Sequence, residues 1–411
     1  MNNDFFIILF AALFGLVFYT YLGYGLLLYV VVRVKRLAKY LYYQFSPRMN
    51  APTSGNLMSD RLAYTPRMTM IIAAYNESSV IEEKLRNTFA LRYPLSNLSV
   101  IVVTDGSTDE TPKLVKRYAG ATLLHQDRRE GKSAALNRAM SFVTTSIVVF
   151  SDANSMLNDD ALLELAQAYE DPGVGAVSGE KRIASSEKSG ASSAGEGIYW
   201  KYESLLKKWD AELYSLVGAA GELFSIRTEL FHPIPNDTLL DDFMISMQIA
   251  KCGYKIAYVP KAYALETASE NIREEFKRKV RISTGGVQSI LRLADFLNPF
   301  EAPKLWWQFI SHRMLRWSLT PFALFLLFPM NLYLMLSEGL IFKALLILQC
   351  GFYLLGLLGY LFEKRKLRFK PFFIPFYFLV MNYAVVLGWF RYFRKSQSVL
   401  WERSAREVLL T

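Results

Sequence analysis

Four stretches of this chain carry no charged residue over lengths that few soluble folds could bury: residues 5–32, 317–337, 344–362 and 371–390. Each is near or above the roughly 18–20 apolar residues that cross a hydrocarbon core about 30 Å thick. One such run could be the central helix of a large soluble core; four together read as membrane spans. The first is not expected to be a cleaved leader. Asp4 stands where a basic n-region belongs, the run is too long, and RVKRLAK (33–39) follows as a stop-transfer flank. That flank and EKRKLRFK (363–370) put the intervening polar region in the cytoplasm by the positive-inside rule, with the chain in the plasma (inner) membrane. The C-terminal tail conflicts with this. Arg391, Arg394, Lys395, Arg403 and Arg406 fall outside if all four runs span, so either one run is re-entrant or the tail breaks the rule.

The remaining composition excludes several classes. The net charge of +10 lies largely beside the apolar runs, where membrane lipids with anionic headgroups account for it without nucleic acid. Cys252 and Cys350 are far apart and His125, His232 and His312 are scattered, so no disulfide framework or zinc set is legible. The expected organisation is an anchor (1–45), a Pro/Ser/Gly-rich linker (46–66), a polar domain (67–295), an interfacial helix region (296–316), C-terminal spans (317–392) and a basic tail (393–411).

The polar domain alternates strand and helix. MTMIIAAY, LSVIVVTD, ATLLHQ and SIVVFSDA are runs of the kind buried on both faces of a sheet, and helical stretches separate them. The fold class is α/β with a mainly parallel sheet and flanking helices, which collects ligands at the strands' carboxyl ends. Two glycine patterns mislead. REGKSA has Gln126 where a phosphate-cradling loop needs its first glycine, and GVGAVSG has its third glycine one place late for a dinucleotide fingerprint.

Polar residues fall at successive strand ends: Asn76 and Glu77, then Asp105, then Asp152 with Asn154, while Lys132 opens the helix after the third strand. One such end is ordinary turn or cap chemistry, and DGSTDE alone reads that way. Several together suit Mg2+ or Mn2+, which take oxygen ligands from one or two carboxylates plus substrate phosphates. Asp152 and Asn154, two apart on an extended segment, would project to one side, and Lys132 would add a point charge.

IIAAYNE, TDGSTDE, the GK pair, SDAN, GELFSIR, LLDDF and RKVRI occur in the order found in family-2 glycosyltransferases. Over roughly 67–290 the chain resembles the membrane-embedded branch that includes hyaluronan, cellulose and poly-N-acetylglucosamine synthases. The resemblance implies a GT-A fold, a divalent metal, and inverting transfer from a nucleotide-sugar, usually a UDP-sugar. It places Ala74, Tyr75 and Glu77 in the nucleoside pocket, Asp105 on the base or ribose, and Lys132 and Arg281 at the diphosphate. Asp152 and Asn154 would hold the metal. Asp242 matches the catalytic base, with Asp241 beside it, and Gly221, Glu222, Asp241 and Arg278 fall towards the acceptor.

Asp241 and Asp242 could instead merely cap their helix. Two departures stand out: Asp-Ala-Asn replaces Asp-x-Asp, and Arg278 and Ile282 replace the Gln and Trp of the processive Gln-x-x-Arg-Trp segment. The expected partners are a nucleotide-sugar, a glycan or lipid-linked acceptor, and membrane lipids. Polymer synthesis with export and single-sugar transfer both fit. The other reading is a non-catalytic scaffold or export subunit.

Overall fold

In a computed structural model, residues 3–45, 64–184, 191–267, 272–365 and 370–400 are described. The linker therefore falls almost wholly outside the described residues, as do Arg403 and Arg406. The strands are β1 (Met68–Ala74), β2 (Leu98–Asp105), β3 (Ala121–Gln126), β4 (Ile147–Asp152), β5 (Met156–Leu157), β6 (Val174–Ala184), β7 (Leu223–Arg227) and β8 (Lys255–Thr267). The helices are α1 (Asn3–Phe45), α2 (Ile81–Phe89), α3 (Thr111–Lys116), α4 (Lys132–Met140), α5 (Ala161–Ala168), α6 (Ala191–Leu213), α7 (Asp241–Lys251), α8 (Ile272–Arg292), α9 (Pro303–Phe309), α10 (Leu319–Ser337), α11 (Leu340–Lys364) and α12 (Lys370–Phe393).

All eight strands form one sheet, in the order β3-β2-β1-β4-β7-β6-β8-β5. The first four are parallel; β7 runs antiparallel to β4 and β6, and β8 pairs parallel with β6. The parallel strands bury alternate side chains on opposite faces. Ile71, Val103 and Phe150 pack with α4 and α7, and Met70, Ile72 and Val102 pack with α2 and α5. This two-sided burial is why β1, β2 and β4 read as apolar runs, whereas β3, at the sheet edge, is only partly covered. Register sets the site: Ala74 pairs with Thr104 and Ala73 with Asp152, so β1, β2 and β4 end level at one edge.

The glycine-rich 173–179 stretch lies mostly on β6, where the glycines serve packing. A Cβ at Gly175 would lie 2.6 Å from Ile249 Cγ2, and one at Gly179 would lie 2.8 Å from the Ala262 carbonyl oxygen.

Four helices are long and apolar enough to cross a membrane: α1, α10, α11 and α12. At 1.5 Å per residue the 43-residue α1 is about 65 Å long, twice what a bilayer needs. Its basic flank meets the sheet domain: Lys35 donates to the Glu212 and Leu213 carbonyls at the end of α6, and Arg36 pairs with Glu212 at 2.5 Å. Cations at a helix C-terminus suit its dipole. A π-helical turn at Tyr19–Gly23 interrupts α1, and there the Tyr21 carbonyl accepts the Tyr202 hydroxyl of α6 at 2.7 Å. Such a bulge disturbs the regular backbone bonding at that turn.

The fourth apolar helix settles where the tail goes. α12 lies along α8, with Phe276 stacked on Tyr383 and Gly388 against Ser283. The chain after it returns to the sheet domain, where a Cβ added at Gly131 would lie 3.2 Å from Val399 Cγ1. The described basic residues of the tail are thus on the side of the sheet domain.

Candidate active site

Asp152 and Asp241 meet across one ammonium. Lys132, the first residue of α4, reaches Asp152 Oδ1 at 2.9 Å and Asp241 Oδ2 at 3.3 Å. Gly131 before it has φ +102°, a conformation that favours glycine, and this aims α4 into the cleft. Burial alone would depress the Lys132 ammonium; facing Asp152, Asp241 and Asp242 raises it instead, so it stays charged. Burial also raises Asp152, against the pull of Lys132.

Asp242 lies beside this group, partly open to the cleft. Burial and the neighbouring Asp241 charge push its carboxyl up to about 7. Its oxygen abuts the Gly221 backbone, where an added Cβ would sit 3.1 Å from Asp242 Oδ2. Neither aspartate caps α7: the cap position is Leu240, with no side-chain cap bond. Gln288 of α8 holds this entry by accepting the Leu239 N–H at 3.0 Å and donating to the Asp237 carbonyl at 2.9 Å.

The strand ends around this centre are braced. Asp105 is fully buried and accepts the Glu130 and Gly131 amides at 3.0 and 2.8 Å, so it supports the loop before Lys132. Tyr75, after the buried Ala74, lies under the Arg129 guanidinium, 3.6 Å from its ring centroid. The Glu77 amide donates to Thr111 Oγ1 and the Ser78 amide to Asp109, tying the β1 and β2 loops together.

Residues 69–233 match the family described as Glycosyl transferase family 2. That stretch is similar to family-2 glycosyltransferase domains. The chain is 28% identical over 249 residues to poly-beta-1,6-N-acetyl-D-glucosamine synthase of Staphylococcus aureus, and 26% identical over 250 residues to that of Staphylococcus epidermidis. Both matches cover 58% of this chain and 58% of the relative, little more than half of each. A mannosyltransferase of Pyrobaculum calidifontis, solved with GDP-Man and Mn2+, superposes at TM-score 0.66. That likeness covers 91% of this chain and 99% of the other at 23% identity, and it shows the fold: a GT-A-type sheet with apolar helices at both ends.

Within this domain the remaining expected residues are differently engaged. The segment carrying Asp152 and Asn154 is not extended: the Ser155 amide bonds back to the Asp152 carbonyl at 3.3 Å, closing a turn with a partly exposed Asn154 at its third position. The physical reason is Lys84. This fully buried lysine, depressed to about 7 by burial, donates to the Ser155 carbonyl and to Ser151 Oγ, and draws the chain inward. Glu222 pairs with Lys181, which also binds Glu266. Arg278 makes two hydrogen bonds to Glu275 on its own helix, at 3.0 and 3.1 Å. Arg281 lies one turn before Gly285, the α8 residue packed on Leu240.

Lys84, Arg129, Lys181 and Glu266 are absent from the sequence reading. Lys84 carried one faint signal, a charge on the otherwise apolar face of α2.

The donor set fits a hard divalent cation. Asp152, Asn154 and Asp241 offer only oxygen, and Asp241 Oδ2 is buried with no hydrogen bond, only the Lys132 ion pair. No group of three His, Cys, Asp or Glu side chains forms a cage among the described residues. A cation here would rest on one or two carboxylates and on substrate oxygens, as Mg2+ does.

Proposed function

We propose that this chain is a membrane-integral, inverting glycosyltransferase that moves a sugar from a nucleotide-sugar to a glycan or lipid-linked acceptor, with its catalytic domain in the cytoplasm. The observation that carries this is the convergence of Lys132, Asp152, Asp241 and Asp242 at the level carboxyl ends of parallel strands. Asp152 and Asn154 would hold Mg2+ or Mn2+, which when bound offsets the charge of the diphosphate.

The chain's own residues supply the rest. Tyr75 and Arg129 offer flat surfaces for a nucleoside, and Lys132 offers a fixed positive charge to the leaving diphosphate. Asp242, with a carboxyl near 7, is partly ionised at neutral pH and takes the acceptor hydroxyl's proton as its oxygen attacks the anomeric carbon. Gly221 leaves room beside that carboxylate for the acceptor. The donor is a UDP-sugar on the sequence resemblance, and a GDP-sugar is tested beside it because the mannosyltransferase that shares the fold was solved with GDP-Man.

The test is a panel of UDP- and GDP-sugars with Mn2+ and the detergent-purified full chain. Mn2+-dependent release of nucleoside diphosphate is expected. Silence across the panel from folded protein would overturn the reading in favour of the scaffold, and sizing the product separates a polymer from a single addition.

A further inference from the structure

The loop that sets Gly221 against Asp242 has little with which to hold itself. Residues 217–221 read Val-Gly-Ala-Ala-Gly, with no side chain longer than valine and with Gly218 at φ +83°. Its backbone is held by groups from other elements. Ser246 Oγ of α7 accepts the Ala219 amide at 2.9 Å and donates to the Asp242 carbonyl at 2.7 Å. Ser178 Oγ of β6 accepts the Ala220 amide at 3.1 Å. Arg313 Nε donates to the Val217 carbonyl at 3.2 Å.

Of these braces, Arg313 comes from outside the sheet. It lies in the π-helical turn Ile310–Met314 that follows α9, a geometry found often at functional sites. Its Nη1 pairs at 2.8 Å with the buried Glu203 of α6, the helix that Tyr202 fastens to the Tyr21 carbonyl of α1. Its guanidinium also faces the Trp317 ring at 5.7 Å, and that ring meets Phe243, the residue after Asp242, edge-on at 5.1 Å. Phe243 in turn presses on the loop, since a Cβ at Gly218 would lie 2.1 Å from its Cδ2. One guanidinium therefore reaches both sides of the Asp242 setting, the loop through Val217 and the first turn of α7 through Trp317. A planar fork of donors can serve a carbonyl and a carboxylate together, which a compact ammonium does less well. Arg316, one turn further on, pairs with the same Glu203 at 3.1 Å and faces Tyr202 of α6 at 5.8 Å.

We propose that Arg313 is a positioning residue for the transfer: it ties the 217–221 loop, and through it the Asp242 carboxylate, to the helices at the membrane. This rests on the transferase reading and adds to it a residue that acts without touching substrate. Arg316 shares the ion pair but serves fastening alone.

The test compares Arg313→Lys, Arg313→Met and Arg316→Met with wild type in the detergent-purified full chain. Nucleoside diphosphate release is measured with Mn2+ and the UDP- or GDP-sugar that the wild type uses best, beside thermal unfolding. Both Arg313 variants should lose about 10–100-fold in kcat, because a misplacement of about 1 Å can cost 10²-fold, while the donor KM stays within about threefold. The acid limb of kcat/KM, which burial of Asp242 sets near pH 7, should move to lower pH as water reaches the loosened carboxylate. Arg313→Lys keeps the charge facing Glu203, so it should unfold near the wild-type temperature and still be slow. Arg316→Met should unfold earlier, having removed one partner of a buried carboxylate, yet keep the wild-type pH profile and a kcat within about threefold. A folded Arg313→Lys or Arg313→Met with wild-type kcat and pH profile overturns the assignment. So does an equal loss of kcat in Arg316→Met, which would make the junction a fastening and nothing more. Wild-type silence across the donor panel overturns the transferase reading and this role with it; an active wild type with unimpaired Arg313 variants overturns only the role.

Discussion

Asp242→Asn should separate activity from stability in opposite directions. The amide cannot take a proton, and a positioned general base contributes about 10²–10⁴ in rate, about 3–5 kcal/mol of barrier. The same change should stabilise the fold. Burial and Asp241 raise the Asp242 carboxyl from 3.8 to about 7, and at 1.36 kcal/mol per unit this is about 4 kcal/mol against the ionised form. Because the group is partly open to water, screening reduces that to about 1–2 kcal/mol.

The sign follows from linkage. A raised folded-state value gives stability that is complete below the unfolded value and is lost as pH rises through about 7. At pH 8 the variant should therefore unfold about 2–4 °C above wild type, and the gap should narrow towards pH 5. Wild-type kcat/KM should fall with acid below about pH 7, while donor binding survives in the variant. The assay pairs nucleoside diphosphate release with thermal unfolding at pH 5, 7 and 8. Activity within tenfold of wild type would move the base to Asp241; an unchanged pH dependence of stability would refute the electrostatic argument.

Other expected outcomes are as direct. Gly221→Ala puts a Cβ 3.1 Å from the Asp242 carboxylate, so kcat should drop about tenfold through displacement of the base while unfolding temperature barely moves. Asn154→Asp adds a charge to the cation site and should lower the half-saturating Mn2+ concentration about tenfold; chelation with EDTA should silence both forms. His312 is fully buried, with Nδ1 2.5 Å from Asp210 and Nε2 3.2 Å from Glu203. His312→Ala should cost about 3 kcal/mol, read as early unfolding, because buried Asp210 keeps only the Tyr24 and Gln308 hydrogen bonds among the described residues, while Glu203 retains Arg313 and Arg316.

Much of this was legible in the chain. The apolar runs marked the helices suited to a membrane because length and lack of charge are local properties. Three of the four parallel strands, β1, β2 and β4, were visible because burial on both faces leaves apolar runs, and their polar ends named the cleft. Pattern said little about the second half of the sheet. β6 reads as a loop of glycines until Ile249, Tyr254 and Leu223 are seen pressing on them. β8 carries scattered polar residues because only part of it is covered.

What tertiary structure alone decided is which distant groups share a charge. Lys132 answers Asp241, Lys84 bends the Asp152 turn, and Val399 returns to Gly131. Periodicity and turn chemistry are written in neighbouring residues and survive as sequence signals. The pairing of remote ions is fixed only when packing brings them within a few ångströms in a medium of low dielectric, so no local pattern records it.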